Sequence, residues 1–221
     1  FFAFISHYVL DSVIHPYVFY KTEYYDRMYN LSKYNRKHHF YERYIDVYYI
    51  DKYKLGKFYK YFFNVKINND ISLLLDSVMD ETYNVRNTSK YFKKGLIDAK
   101  IMFRFKYDKY GIKNIFYKLF GNKFLSYHID LNKDKYILNL DHNVWYNPKN
   151  GEKHNESVLD LYDIAFDRCC VLLKKVDRCL KNNDFKTFKE IIGNDSYVYG
   201  LNLKLGSKLK YLEKECKIDE K

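Results

Sequence analysis

Along most of this chain apolar residues return every three to four positions, the interval at which an α-helix brings side chains back to one face. The first twenty residues, FFAFISHYVLDSVIHPYVFY, are almost continuously apolar. They read as a buried helix that Pro16 ends or kinks. Residues 21–33 are polar and aromatic and read as a connection, with a second helix from about Tyr34 to Tyr53. Ile71, Leu74, Leu75, Val78, Met79 and Thr82 then recur at helical intervals behind Asn69 or Asp70 as cap, and Asn87 or Thr88 caps a helix running through Phe105. A turn over Asp108–Gly111 leads into an amphipathic helix within residues 111–127. From Ile129 to Gly151 the pattern is irregular and loop-like around Trp145 and Pro148. Ser157 with Asp160 resembles a capping pair for a long helix through Leu180, and a shorter helix follows from Phe185 to Ile192. Only two prolines interrupt the chain and the eight glycines are scattered. The expected fold is all-α, a single helical domain over residues 1–221.

Composition changes this picture little. A chain of 221 residues with 47% hydrophobic content can bury one substantial core. The net charge of +11 and pI near 9.2 suit an anionic partner. The lysines are spread along the whole chain, however, and the joint abundance of Lys, Asn, Tyr, Ile and Phe is what AT-rich coding produces regardless of function. Cys169, Cys170, Cys179 and Cys216 have no C-x-x-C spacing, so reduced, cytosolic-type cysteines are expected rather than a disulfide framework or thiolate metal site. No apolar run reaches the roughly eighteen residues of a membrane span. The chain opens at Phe1 within an established hydrophobic helix and reads as a fragment or processed product, so the lack of a signal peptide says nothing about secretion.

The candidate chemistry lies in the first two helices. His7, Asp11 and His15 recur at intervals of four, and a step of four drifts only about 40° around a helix, so the three stack along one face. In RKHHFYERYID, His38, Glu42 and Asp46 repeat the interval. Imidazole and carboxylate are the donors a zinc ion takes. One His-x-x-x-acid pair is expected about once by accident in this composition, whereas the three-member run arises in roughly one chain in thirty. The competing readings are a core histidine satisfied by a carboxylate for His7 and a solvated face for His38. His39 projects about 100° from His38 and reads as surface. His128, His142 and His154 lack acidic partners at helical spacing and read as solvated loop residues.

HYVLDSVIHP followed by HHFYERYID resembles the paired ligand helices of the bacterial zinc-dependent phospholipase C family, whose fold is shared with zinc-dependent single-strand nucleases. The gap from Asp11 to His15 is shorter than in the family's best-known secreted enzymes, and the chain is more similar to a divergent branch. The strings DHNVWYNP, NESVLDLYDIA and SYVYGL extend the likeness, more loosely, over most of the chain. The resemblance implies an all-helical phosphodiesterase, a phospholipase C/nuclease-like bundle with its metal site between helices and three zinc ions in a cleft. His15, His38 and Glu42 would hold one zinc, while His7 and Asp11 would serve a neighbouring two-metal cluster with Asp11 bridging. Metal ions would neutralise phosphate oxygens and lower the pKa of the attacking water. Asp46 would either orient a ligand histidine or sit on the surface.

In the family the remaining ligands and the carboxylate assigned as general base precede the first ligand helix, ahead of Phe1 here. The expectation is therefore a phospholipid hydrolase weakened or inactive in this form. It would act as a monomer, with zinc as its cofactor and with peripheral membrane contact. A nuclease is the alternative, for which positive charge and aromatic residues would supply backbone attraction and stacking. A helical binding protein without catalysis is the third. Tyrosines could wall a choline-like head group by cation–π attraction, although core packing and coding bias explain most of them equally.

Overall fold

The computed structural model describes residues 2–22, 31–55, 66–106, 108, 110–119, 134–206 and 208–211. Its elements are α1 (Phe2–Thr22), α2 (Leu31–Lys52), α3 (Asn69–Tyr83), α4 (Thr88–Lys106), α5 (Ile112–Leu119), α6 (Asp134–Ile137), β1 (Trp145–Tyr146), β2 (Lys153–His154), α7 (Val158–Lys181), α8 (Phe185–Ile192) and a 3₁₀ turn at Leu203–Leu205. The protein is mostly helical, an all-α fold whose described residues include a two-stranded hairpin. The chain forms two compact units, one of residues 1–42 and 131–221, the other of residues 43–130. Among the described residues no helix is long and apolar enough to cross a membrane.

In the first unit α1 is the central element. Its apolar residues are not confined to one stripe, and it is buried accordingly on several sides. Ile5, Tyr8 and Val9 pack with Ala165, Leu172 and Val176 of α7, and Phe188, Ile191 and Ile192 of α8 close that layer. Full burial of such aliphatic side chains contributes about 1.5–3 kcal/mol each. At the other end of α1, Phe19 packs with Tyr199 and Leu209. Tyr17 lies edge-on to Trp145 and donates its hydroxyl to the Ile137 carbonyl at 2.9 Å. Lys21, also buried, lays its ammonium over the Tyr136 ring at 4.6 Å.

Of the two readings of Pro16, an end to α1 or a kink in it, the end does not hold. The helix runs on through Thr22 with Pro16 inside it. Proline takes one donor from the ladder, the one that would serve the Ser12 carbonyl four residues back. Gly200 packs against that carbonyl: a Cβ at this position would collide with the Ser12 oxygen and crowd Pro16 Cγ, and Gly200 adopts φ +67°. The tertiary contact sits where proline opens the helix.

Elsewhere the local chemistry explains the boundaries. Asn68, one residue before the expected caps, is the N-cap of α3 and accepts from the Ile71 amide at 2.9 Å. Ser157 and Asp160 form the expected capping box at α7, which begins at Val158. α8 spans the expected residues behind an Asp184 cap. α5 occupies Ile112–Leu119, and the rest of its expected span, residues 120–127, lies outside the described residues. The segment read as loop around Trp145 contains β1, which pairs with β2 just beyond its end at Gly151, Trp145 with His154 and Tyr146 with Lys153.

Candidate metal site

The spacing of α1 puts His7, Asp11 and His15 on successive turns, and tertiary packing treats them differently. The side chain of His7 is 65% exposed, against 14% for Asp11 and 19% for His15. On α2, His38 is 9% and Glu42 37% exposed. Glu42 Oε1 lies 3.2 Å from His15 Nε2 and 3.0 Å from His38 Nε2. These three residues present their donor atoms within 4.8 Å of one another. Phe19, one turn beyond His15 on α1, forms an apolar backing: its ring centroid is 4.7 Å from that of His38 and 5.6 Å from that of His15.

The tautomer of His15 is set from outside the two helices. His15 Nδ1 donates to the Tyr197 carbonyl at 2.7 Å, which directs Nε2 toward Glu42. A histidine whose second nitrogen is tied to a carbonyl is oriented and made more basic for metal binding. Two imidazole nitrogens and one carboxylate, one ring anchored in this way, fit a zinc ion with coordination positions left for water or substrate.

The charges at the site are coupled. Burial alone would push Glu42 up, but hydrogen bonds from His15 and His38 and their positive charge outweigh it and hold its carboxyl far below the usual carboxylate range. Burial pulls His15 down, and the Glu42 hydrogen bond, the Asp11 charge and the Tyr197 carbonyl together reverse the sign and raise it. Asp11 is raised because burial exceeds the attraction of His15 and His7, with Glu42 adding repulsion. A proton on His15 Nε2 is thus stabilised in the metal-free site and competes with a cation for the same nitrogen.

This competition gives a pH dependence with a defined sign. Zinc affinity is expected to fall by about tenfold per pH unit once pH drops below the raised pKa of His15, because each binding event then releases one more proton. The fall begins above the ordinary histidine range near 6.5. Asp11→Asn removes one of the charges that raise His15 and should move the onset to lower pH. Zinc titrations across pH with a competing chromophoric chelator check both, and an onset that stays in place in Asp11→Asn contradicts the assignment.

No protein-family model, curated protein or solved structure matches this chain.

Among the residues singled out in the sequence, His15, His38 and Glu42 come together, and Asp11 stands beside them with Oδ1 3.9 Å from His15 Nε2. His7 reaches Asp11, its Nε2 3.1 Å from Oδ2, and otherwise faces outward. Asp46 is exposed on α2 within the other compact unit. His39 is 74% exposed, yet its Nδ1 lies 3.3 Å from Glu42 Oε2, so the second carboxylate oxygen is engaged as well. His142 and His154 do have partners: His142 Nδ1 lies 3.5 Å from Asp160 Oδ2, and His154 stacks on Trp145 at 4.4 Å while reaching Glu156 at 3.3 Å. Both brace the hairpin and the start of α7. Trp145 is buried there and donates Nε1–H to the Glu156 carbonyl at 3.1 Å. His128 lies outside the described residues. The Tyr197 carbonyl is the contributor that sequence reasoning missed. A main-chain oxygen leaves no residue-type signal, and the string SYVYGL around it was the only hint.

Proposed function

We propose that this chain is a zinc-dependent phosphodiester hydrolase of the phospholipase C type, acting on phospholipid. The observation that carries the reading is the convergence of His15, His38 and Glu42 from two helices onto one point. These are the residues that the resemblance to zinc-dependent phospholipases C assigns to a single zinc. When bound, zinc supplies a Lewis acid for a phosphoryl oxygen and lowers the pKa of a coordinated water.

The chain's own residues have separable tasks in this reading. His15 and His38 supply nitrogen donors and Glu42 an anionic oxygen that offsets the cation's charge. The Tyr197 carbonyl holds the His15 ring in orientation, and Phe19 excludes water from behind both imidazoles. Asp11 places a second carboxylate beside His15 and links it to the exposed His7. That pair extends the site toward solvent and offers donors to a further cation.

The test is hydrolysis of dispersed phosphatidylcholine and of single-stranded DNA by the zinc-loaded chain, before and after chelation. Phosphocholine release that stops with chelator and returns with zinc is expected. Cleavage of DNA alone would make the protein a nuclease on the same site. Absence of both activities, with zinc bound, would leave a helical binding protein.

A further inference from the structure

The second compact unit presents an apolar surface on helices that are otherwise rich in lysine. α5 is the sharpest instance. Ile112, Ile115, Phe116 and Leu119 fall at i, i+3, i+4 and i+7 and form a single stripe. They are not the buried face of this helix: their exposures are 69, 64, 60 and 77%. Tyr110, immediately before, is 75% exposed. On α4, Tyr91, Ile97, Ile101 and Met102 occupy an arc of about 140° and are also exposed, with Phe92 to one side. Lys93 and Lys100 lie across the helix from Tyr91, with Lys90 and Lys94 within the arc. Isolated exposed apolar residues are ordinary, but neighbouring ones aligned along one helix face mark an interaction surface.

We propose that the exposed apolar stripes of α4 and of α5 each enter the interface of an anionic phospholipid bilayer, with the lysines meeting its headgroups. Apolar and aromatic residues on one side of a helix, with lysines on and around it, match interfacial membrane-binding helices. Lysines close to the bilayer add attraction to anionic lipid. The unit has the required sign, with seventeen Lys and Arg against nine Asp and Glu over residues 43–130. The acids of the neighbouring α3 are partly engaged: Asp76 accepts from the Ser89 amide at 2.8 Å and its hydroxyl at 2.7 Å, and Asp80 lies 3.5 Å from Arg86. A second copy of the chain fits less well, because a two-fold contact would set like-charged lysine faces against each other. Nucleic acid fits less well because six of the ten exposed residues named above, Ile97, Ile101, Met102, Ile112, Ile115 and Leu119, are not aromatic and give bases nothing to stack on, although Tyr91, Phe92, Tyr110 and Phe116 would.

The inference goes beyond the hydrolase reading and does not depend on it, since docking uses neither His15, His38 nor Glu42. The experiment is co-sedimentation of the whole chain, in chelator, with vesicles of phosphatidylcholine alone or mixed with phosphatidylglycerol. Binding to the mixed vesicles is expected. The double substitution Ile115→Ser with Phe116→Ser should weaken it by about tenfold or more, with helical content unchanged because both side chains are exposed. Lys93→Glu with Lys94→Glu should remove the preference for anionic lipid while leaving α5 intact. The proposal fails if the native chain does not sediment with mixed vesicles, or if the serine variant sediments as well as the native chain. It also fails if the chain binds single-stranded DNA but not vesicles, or if the serine substitutions instead dissociate a dimer. Since metal is absent throughout, loss of hydrolase activity leaves the result unchanged, and a chain that docks without hydrolysing refutes only the proposed activity.

Discussion

Glu42→Gln is expected to lower zinc affinity by about a hundredfold or more and to abolish the proposed zinc-dependent phosphodiesterase activity. The substitution keeps the shape of the side chain and removes its charge. In the native chain Oε1 lies 3.0 Å from His38 Nε2 and 3.2 Å from His15 Nε2, so the carboxylate is the one anionic donor among the three converging residues. Loss of outer-shell partners alone typically costs about 10–100-fold in metal affinity, which makes a hundredfold a lower figure for an anionic ligand. His15→Ala should have a comparable effect by deleting the ring that Tyr197 anchors. His7→Ala should change affinity at this point far less, because its nearest site partner is Asp11 and its side chain is mostly exposed. Competition titrations of all three variants against a chromophoric chelator provide the check. Native affinity in Glu42→Gln would refute the site. A loss in His7→Ala equal to that in His15→Ala would show that α1 acts as a unit rather than through His15.

The second large effect concerns stability. Gly200→Ala is expected to destabilise the fold by about 2–5 kcal/mol, combining a left-handed backbone that alanine tolerates poorly with a Cβ driven into the Ser12 carbonyl. Neither obstacle yields to a rotamer change, since one is the residue's own φ of +67° and the other is backbone. Gly95 is the built-in contrast. It lies within α4, and a Cβ added there would meet nothing within 4 Å, so Gly95→Ala should stabilise by about 0.5–1 kcal/mol through helix propensity. Urea unfolding of both variants measures the difference. The loop that carries Gly200 also carries Tyr197, so Gly200→Ala is further expected to loosen the carbonyl that orients His15.

Helix periodicity and capping chemistry were legible because both are local. Ser157 and Asp160 form their capping box from residues three apart, and α7 follows from its own apolar repeat. The pairing of His38 with Glu42 was legible for the same reason, since one helical turn separates them. The course of α1 through Pro16 was not. Proline's cost is a local quantity, and burial of Tyr17, Val18 and Phe19 outweighs it only once the rest of the fold surrounds them. The exposure of the α5 stripe was equally hidden. Its spacing specifies an amphipathic helix but does not say whether that face meets a core or solvent.

What the sequence by itself determined is an all-α chain whose first two helices carry imidazoles and carboxylates on single faces, because a 3.6-residue repeat converts spacing directly into direction. Only the tertiary structure decided which of those groups meet. It set His15 against His38 and Glu42, left His7 at the surface, and supplied from 182 residues away the carbonyl that orients His15. These outcomes depend on how α1 is packed within its unit, and helical spacing carries no information about a partner that distant in the chain.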